Sequence, residues 1–156
     1  MTSMARMPHF LRPLVNAVPA DFCLRNRRTG EMLASTLLPA LDSATRKTGL
    51  LKHTSLADGE AMLIAPSNAV HTWFMKFDLD LIFVRRDGRV VKTRAGVKPW
   101  RMSAALRAFA VIEMRAGTLA ARDTQCGDIL ELCRLDADPT SVDTGSTPAR
   151  RRSPAD

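Results

Sequence analysis

His71-Thr-Trp-Phe-Met-Lys-Phe-Asp-Leu-Asp-Leu-Ile-Phe-Val84 decides the fold, because a strongly β-forming run here carries ionisable groups. Burying such groups costs free energy unless they are paired or hydrogen-bonded. In an extended chain His71, Trp73, Met75, Phe77, Leu79, Leu81 and Phe83 share one face, while Lys76, Asp78 and Asp80 point the other way. Drawn out as one strand, residues 70 to 85 would span roughly 50 Å, too long for a small domain, so a break is expected near Phe77 to Leu79. The second half, Leu79 to Arg85, meets Arg89 to Arg94 across Arg86-Asp-Gly-Arg89. An Asp-Gly pair between alternating residues is the strongest short hairpin signal available.

Upstream, Phe22 to Asn26 and Glu31 to Ala34 flank Arg27-Arg-Thr-Gly30, a second hairpin in which Gly30 supplies the left-handed backbone. Asp42 or Ser43 can cap a short helix through Ala44 to Thr48, ended by Gly49. Asp58-Gly59 turns into a strand over Ala61 to Ala65, which Pro66 stops. Downstream, a loop carrying Pro99-Trp100 leads to a strand over Phe109 to Met114, a helical turn near Thr118 to Arg122 and a last strand over Asp128 to Arg134. These elements predict a mainly β fold, α+β at the margin. About seven short strands and one or two short helices would form a compact antiparallel barrel-like or two-layer sheet. Residues 1–19 read as an irregular segment, 20–135 as one domain and 136–156, rich in Ser, Thr, Pro, Asp and Arg, as a disordered tail.

The chain of 156 residues is long enough for a single packed core. Its formal charge of +7 lies in the body, since residues 136–156 hold four aspartates against three arginines. That balance is compatible with nucleic acid, anionic lipid heads or an acidic partner, yet the cations are dispersed in pairs such as Arg27-Arg28, Arg46-Lys47 and Arg85-Arg86. A solvated basic surface with at most non-specific nucleic-acid binding is expected. Cys23, Cys126 and Cys133 form no C-x-x-C pair and leave an odd thiol under any pairing, which favours a reducing compartment and small buried thiols. Cys126, before the turn pair Gly127-Asp128, is the one expected at the surface. Met1 to Pro19 lacks a clean apolar core for a secretion signal, and no stretch reaches the length of a membrane span. A soluble, cytoplasmic protein is expected.

Several landmarks occur together and in order: Arg46-Lys-Thr-Gly-Leu50, Ala61-Met-Leu-Ile64, Trp73-Phe-Met-Lys76, Leu79-Asp-Leu-Ile-Phe83, Asp87-Gly88, Val111-Ile-Glu-Met-Arg-Ala-Gly117 and Gly127-Asp128. As an ordered set over roughly residues 30 to 133, they resemble the domain of unknown function 192 family, also called uncharacterised protein family 0127. The family's Gly-Leu falls on Gly49-Leu50, its Met-Leu on Met62-Leu63, its Met-Lys on Met75-Lys76, its Leu-Asp on Leu79-Asp80, and its Glu on Glu113. Phe77-Asp78 stands where the family often has Asn and Pro. The resemblance implies a compact, mainly β domain and brings no activity with it. Many relatives carry an export segment, which is not expected here.

Asp80 and Glu113 are the sharpest chemical features, each a carboxylate within an apolar strand. Two readings stand: an ion pair or carboxylate-to-amide lock, with Arg46 or Arg101 as partner, or an acid/base pair with shifted pKa values. His71 beside Trp73 reads either as a rim residue or as a proton carrier and ligand-orienting ring. Trp100, between Pro99 and Arg101, either stacks on a ligand or plugs the barrel end. His9, His53 and His71 are far apart, and methionines at strand spacing read as core filler rather than as a soft site of His71 with Met62, Met75 or Met114, so no metal is expected. No G-x-S-x-G, G-x-x-x-x-G-K or G-x-G-x-x-G occurs, and no cofactor is expected. The leading expectation is a non-enzymatic binding or accessory domain whose barrel mouth holds a small molecule or peptide segment. Its binding residues would be His71, Trp73, Asp80, Trp100, Arg101 and Glu113. The alternatives are a carboxylate-dependent hydrolase or lyase using Asp80 and Glu113 with His71, and a low-specificity polyanion binder.

Overall fold

A computed structural model describes residues 9–16 and 22–135. The tail expected over 136–156 lies outside the described residues. Ten strands and two short helices follow one another: β1 (Phe22–Asn26), β2 (Met32–Ala34), β3 (Thr36–Ala40), α1 (Ser43–Thr48), β4 (Glu60–Ile64), β5 (Ala69–His71), β6 (Leu79–Val84), β7 (Val90–Val97), β8 (Met102–Ala104), β9 (Ala110–Arg115), α2 (Thr118–Ala121) and β10 (Leu130–Arg134). A 3₁₀ turn, Arg12–Asn16, precedes them.

The mainly β reading holds, with ten strands instead of about seven, but the barrel does not. Among the described residues the strands form three sheets, ordered β10-β1-β2, β3-β4-β9-β6-β7 and β5-β8. The five-stranded sheet is the centre, and both of its faces are buried. Ile82, Val84, Ile112, Met114 and Leu63 point to one side, where Phe22, Leu24, Leu33 and Leu130 of the three-stranded sheet cover them together with Leu11 and Leu14. Leu79, Leu81, Phe83, Val111 and Ile64 point to the other, against Leu50, Leu56, Val70 and Met75. A sheet covered on both faces reads as near-continuous apolar runs, and β6 is buried at all six positions.

The local signals explain where the chain turns. The β6–β7 hairpin closes at Asp87-Gly88, and a side chain at Gly88 (φ +82°) would sit 2.3 Å from the Leu130 carbonyl oxygen. Only glycine lets the hairpin lie against β10. Asp42 caps α1 by accepting the Thr45 N–H at 2.8 Å, and Gly49 ends it. A break in residues 70–85 does separate β5 from β6, but the strand ends already at His71 and the break spans residues 72–78 rather than falling near Phe77 to Leu79, so Trp73, Met75 and Phe77 do not share an extended face with His71. β3 had no clear signal because Pro39 removes a ladder donor, but β3 is an edge strand paired in parallel with β4, where proline is tolerated. β7, the opposite edge, carries Lys92 and Arg94 and two register shifts, features that discourage pairing with another chain.

The expectation of three free, mostly buried thiols is corrected. Cys23 and Cys133 face each other in the β1–β10 register and form a disulfide across 110 residues, leaving Cys126 free and exposed. With one pair made, the odd thiol no longer argues for a reducing compartment. No helix among the described residues is long and apolar enough to cross a membrane.

Candidate functional site

Glu113 and Asp80 lie on neighbouring strands but on opposite faces of the central sheet. Across β6 and β9 the opposed residues are Asp80 with Met114 and Leu81 with Glu113, and opposed residues share a face. The acid/base pair is therefore not assembled. Asp80, fully buried, accepts the Gly96 N–H on Oδ1 at 2.8 Å and the N–H groups of Gly117 (3.0 Å) and Leu119 (2.8 Å) on Oδ2. It is a carboxylate-to-amide lock that joins β6 to β7 and to the turn opening α2. Neither Arg46 nor Arg101 partners it: Arg46 donates to the carbonyls of Leu41 (2.6 Å) and Ala65 (3.3 Å), and Arg101 to that of Trp100.

Glu113 is the other case. It is 5% exposed between Met62 and Leu81, and burial pushes its carboxyl up to about 7, with no hydrogen-bond donor or ion-pair partner for it among the described residues. Its side chain opens on a cavity of about 410 Å³ between α1, the segment after it and β5, bordered by Arg46, Lys47, Leu50, Pro66, His71 and Met75. α1 has no buried side chain of its own, so Arg46, fastened to the two carbonyls, sets the position of this wall. A largely buried carboxyl that lines a cavity is a group that a bound donor would satisfy.

His71 stands at the end of β5, borders the cavity and stacks on Trp73 with ring centroids 4.7 Å apart and planes inclined by 21°. Trp73 itself points outward, 42% exposed. Trp100 neither plugs a barrel nor enters the cavity: it is 57% exposed and meets Phe74 edge to face at 4.7 Å. Both Phe74 (φ 65°) and Trp100 (φ 64°) hold left-handed backbone, a conformation that costs a bulky residue about 1–3 kcal/mol. Sequence reasoning missed Phe74 and Met102, whose exposure no periodicity signals, and missed the residue that fixes this end. Thr72, 1% exposed, donates its hydroxyl to the Lys98 carbonyl at 2.7 Å and accepts the Arg101 N–H at 2.9 Å, while its own carbonyl accepts the Trp100 N–H at 2.9 Å.

Of the six residues expected to bind, Glu113 and His71 share the cavity, Trp73, Trp100 and Arg101 gather outside it, and Asp80 lies across the sheet. Met75 borders the cavity with His71 and Met62 lies on the same side of the sheet, whereas Met114 faces the other side.

The model of the domain of unknown function 192 family, described as Uncharacterized ACR, matches residues 25–132. Among curated proteins none matches the chain. A crystal structure of a protein of unknown function from Novosphingobium aromaticivorans superimposes with a TM-score of 0.61 at 26% identity, covering 70% of this chain and 82% of that one. Another, from Sinorhizobium meliloti, whose description proposes a transcription regulator, gives 0.62 at 22% identity over 70% of this chain and 90% of that one. At that identity the second likeness speaks for the fold alone.

Proposed function

The chain belongs to the domain of unknown function 192 family, and from that premise we propose that it is a non-enzymatic binding domain whose ligand enters the cavity between α1 and β5. The ligand is a small molecule or the end of a peptide, and it places a hydrogen-bond donor, an ammonium or a hydroxyl, on Glu113. One observation carries the reading: a buried carboxyl without a partner among the described residues opens on a cavity of about 410 Å³, within the usual range for small-molecule sites. His71 at the rim and the Arg46-anchored wall give the ligand its orientation. The hydrolase or lyase reading has no such support, because its two carboxylates face away from each other.

A thermal-shift screen of amines, polyols, amino acids and short peptides tests it, with Glu113→Gln run in parallel. A ligand at a hundredfold its dissociation constant stabilises the fold by about 2.7 kcal/mol. Hits that Glu113→Gln abolishes support the cavity. Hits that the variant leaves unchanged, or a screen empty at both pH 6 and pH 8, overturn it. A cytoplasmic setting requires Cys23 and Cys133 to be reduced there, and thiol counting on protein taken rapidly from cells checks that point separately.

A further inference from the structure

We infer that the aromatic tip formed by Trp73, Phe74, Trp100 and Met102 docks the domain on anionic lipid bilayers, its side chains entering the interface and neighbouring cations meeting the headgroups. The four side chains are 42%, 67%, 57% and 67% exposed, and none of them borders the Glu113 cavity. They are held as one unit. Phe74 and Trp100 pack edge to face, Thr72 binds the backbone of the two loops together, and Met102 lies opposite His71, which stacks on Trp73. Two bulky aromatics in left-handed backbone keep the tip apolar, where asparagine or aspartate would be easier to accommodate.

The charge around the tip selects the partner. Lys76 and Arg101, which adjoin the tip along the chain, are exposed without a carboxylate partner among the described residues, and Asp78 is paired with Lys98 at 2.6 Å. An apolar centre with a net positive border fits an anionic bilayer, which deforms around protruding side chains. A second copy of the chain would bring the same cations against each other. Single-stranded nucleic acid would share the charge complementarity but needs free ring faces, and His71 already covers one face of Trp73.

The two tryptophans of the chain, Trp73 and Trp100, both lie in the tip, so intrinsic tryptophan fluorescence reads this surface and no other. The full chain is titrated with vesicles of one part phosphatidylglycerol to three of phosphatidylcholine, with neutral phosphatidylcholine vesicles and with a single-stranded oligonucleotide. The expected result is a blue shift and co-sedimentation with the anionic vesicles, at least about tenfold weaker on neutral ones and weakened by salt. Phe74→Asn suits the left-handed backbone, and it should keep the melting temperature while lowering partitioning about tenfold. Glu113→Gln should partition as the parent does, which separates this surface from the cavity. The inference is overturned if the anionic vesicles produce no blue shift, if the oligonucleotide alone produces one, or if Phe74→Asn, folded as the parent, binds the vesicles equally well.

Discussion

The two carboxylates set within apolar strands show how one residue type serves two ends according to the donors that surround it. Asp80 meets three backbone N–H groups, so replacing it with Asn turns an amide donor toward at least one of them and leaves buried donors unpaired. Asp80→Asn should lose about 3 kcal/mol of stability in urea titration. Glu113 meets none, and the sign of its effect is opposite. Its folded pKa of about 7 lies above its ordinary 4.5, so the folded state holds the proton more tightly. The Glu113 contribution is most favourable below about pH 4.5, falls as the pH rises, and levels off above about 7 at a cost of about 3 kcal/mol. Glu113→Gln should therefore match the parent near pH 4 and exceed it at pH 8, as melting temperatures across that range will show. Asp128 is the ordinary case: hydrogen-bonded first by Arg28, then by the Gln125 N–H and Asn26, its carboxyl is held down at about 2. Its contribution is present above its ordinary 3.8 and lost as the pH falls through about 2.

At the scale of elements, the chain closes on itself through β1 and β10. Their five-residue register is reinforced by the Cys23–Cys133 bond and by Glu131, which accepts from Arg25 and Arg27 on exposed side chains. The surface ion pairs add little. The disulfide, spanning 110 residues, adds about 5 kcal/mol on loop-entropy grounds. Cys23→Ser should lower the urea midpoint by a corresponding amount. Alkylation of the untreated protein in the unfolded state should find one reactive thiol, Cys126; three would refute the pairing. The Asp-Gly hairpin, the capped α1 and the Gly30 hairpin were legible because each rests on residues within a few positions of one another. β3, β8 and the disulfide were not, because their partners lie far along the chain and no local pattern names them.

For the whole molecule, β6 and β9 are the shared interior of two cores, covered by the three-stranded sheet on one side and by α1, its following loop and the β5–β8 ribbon on the other. Amide exchange should accordingly be slowest in Leu79–Val84 and Ala110–Arg115 and fastest in the segment carrying α1, which buries no side chain of its own. Uniform protection across both regions would contradict this layering. By itself the sequence determined the β class, the principal turns, the strand break before Leu79 and the identity of the ionisable residues placed in apolar surroundings, since these follow from periodicity, backbone preference and the cost of burying charge. Only the tertiary structure decided that the sheets stay open, that Cys23 meets Cys133, and that Asp80 and Glu113 face opposite ways. The register between β6 and β9 sets which side each carboxylate occupies, and a one-residue change would exchange those sides without altering a letter of either strand.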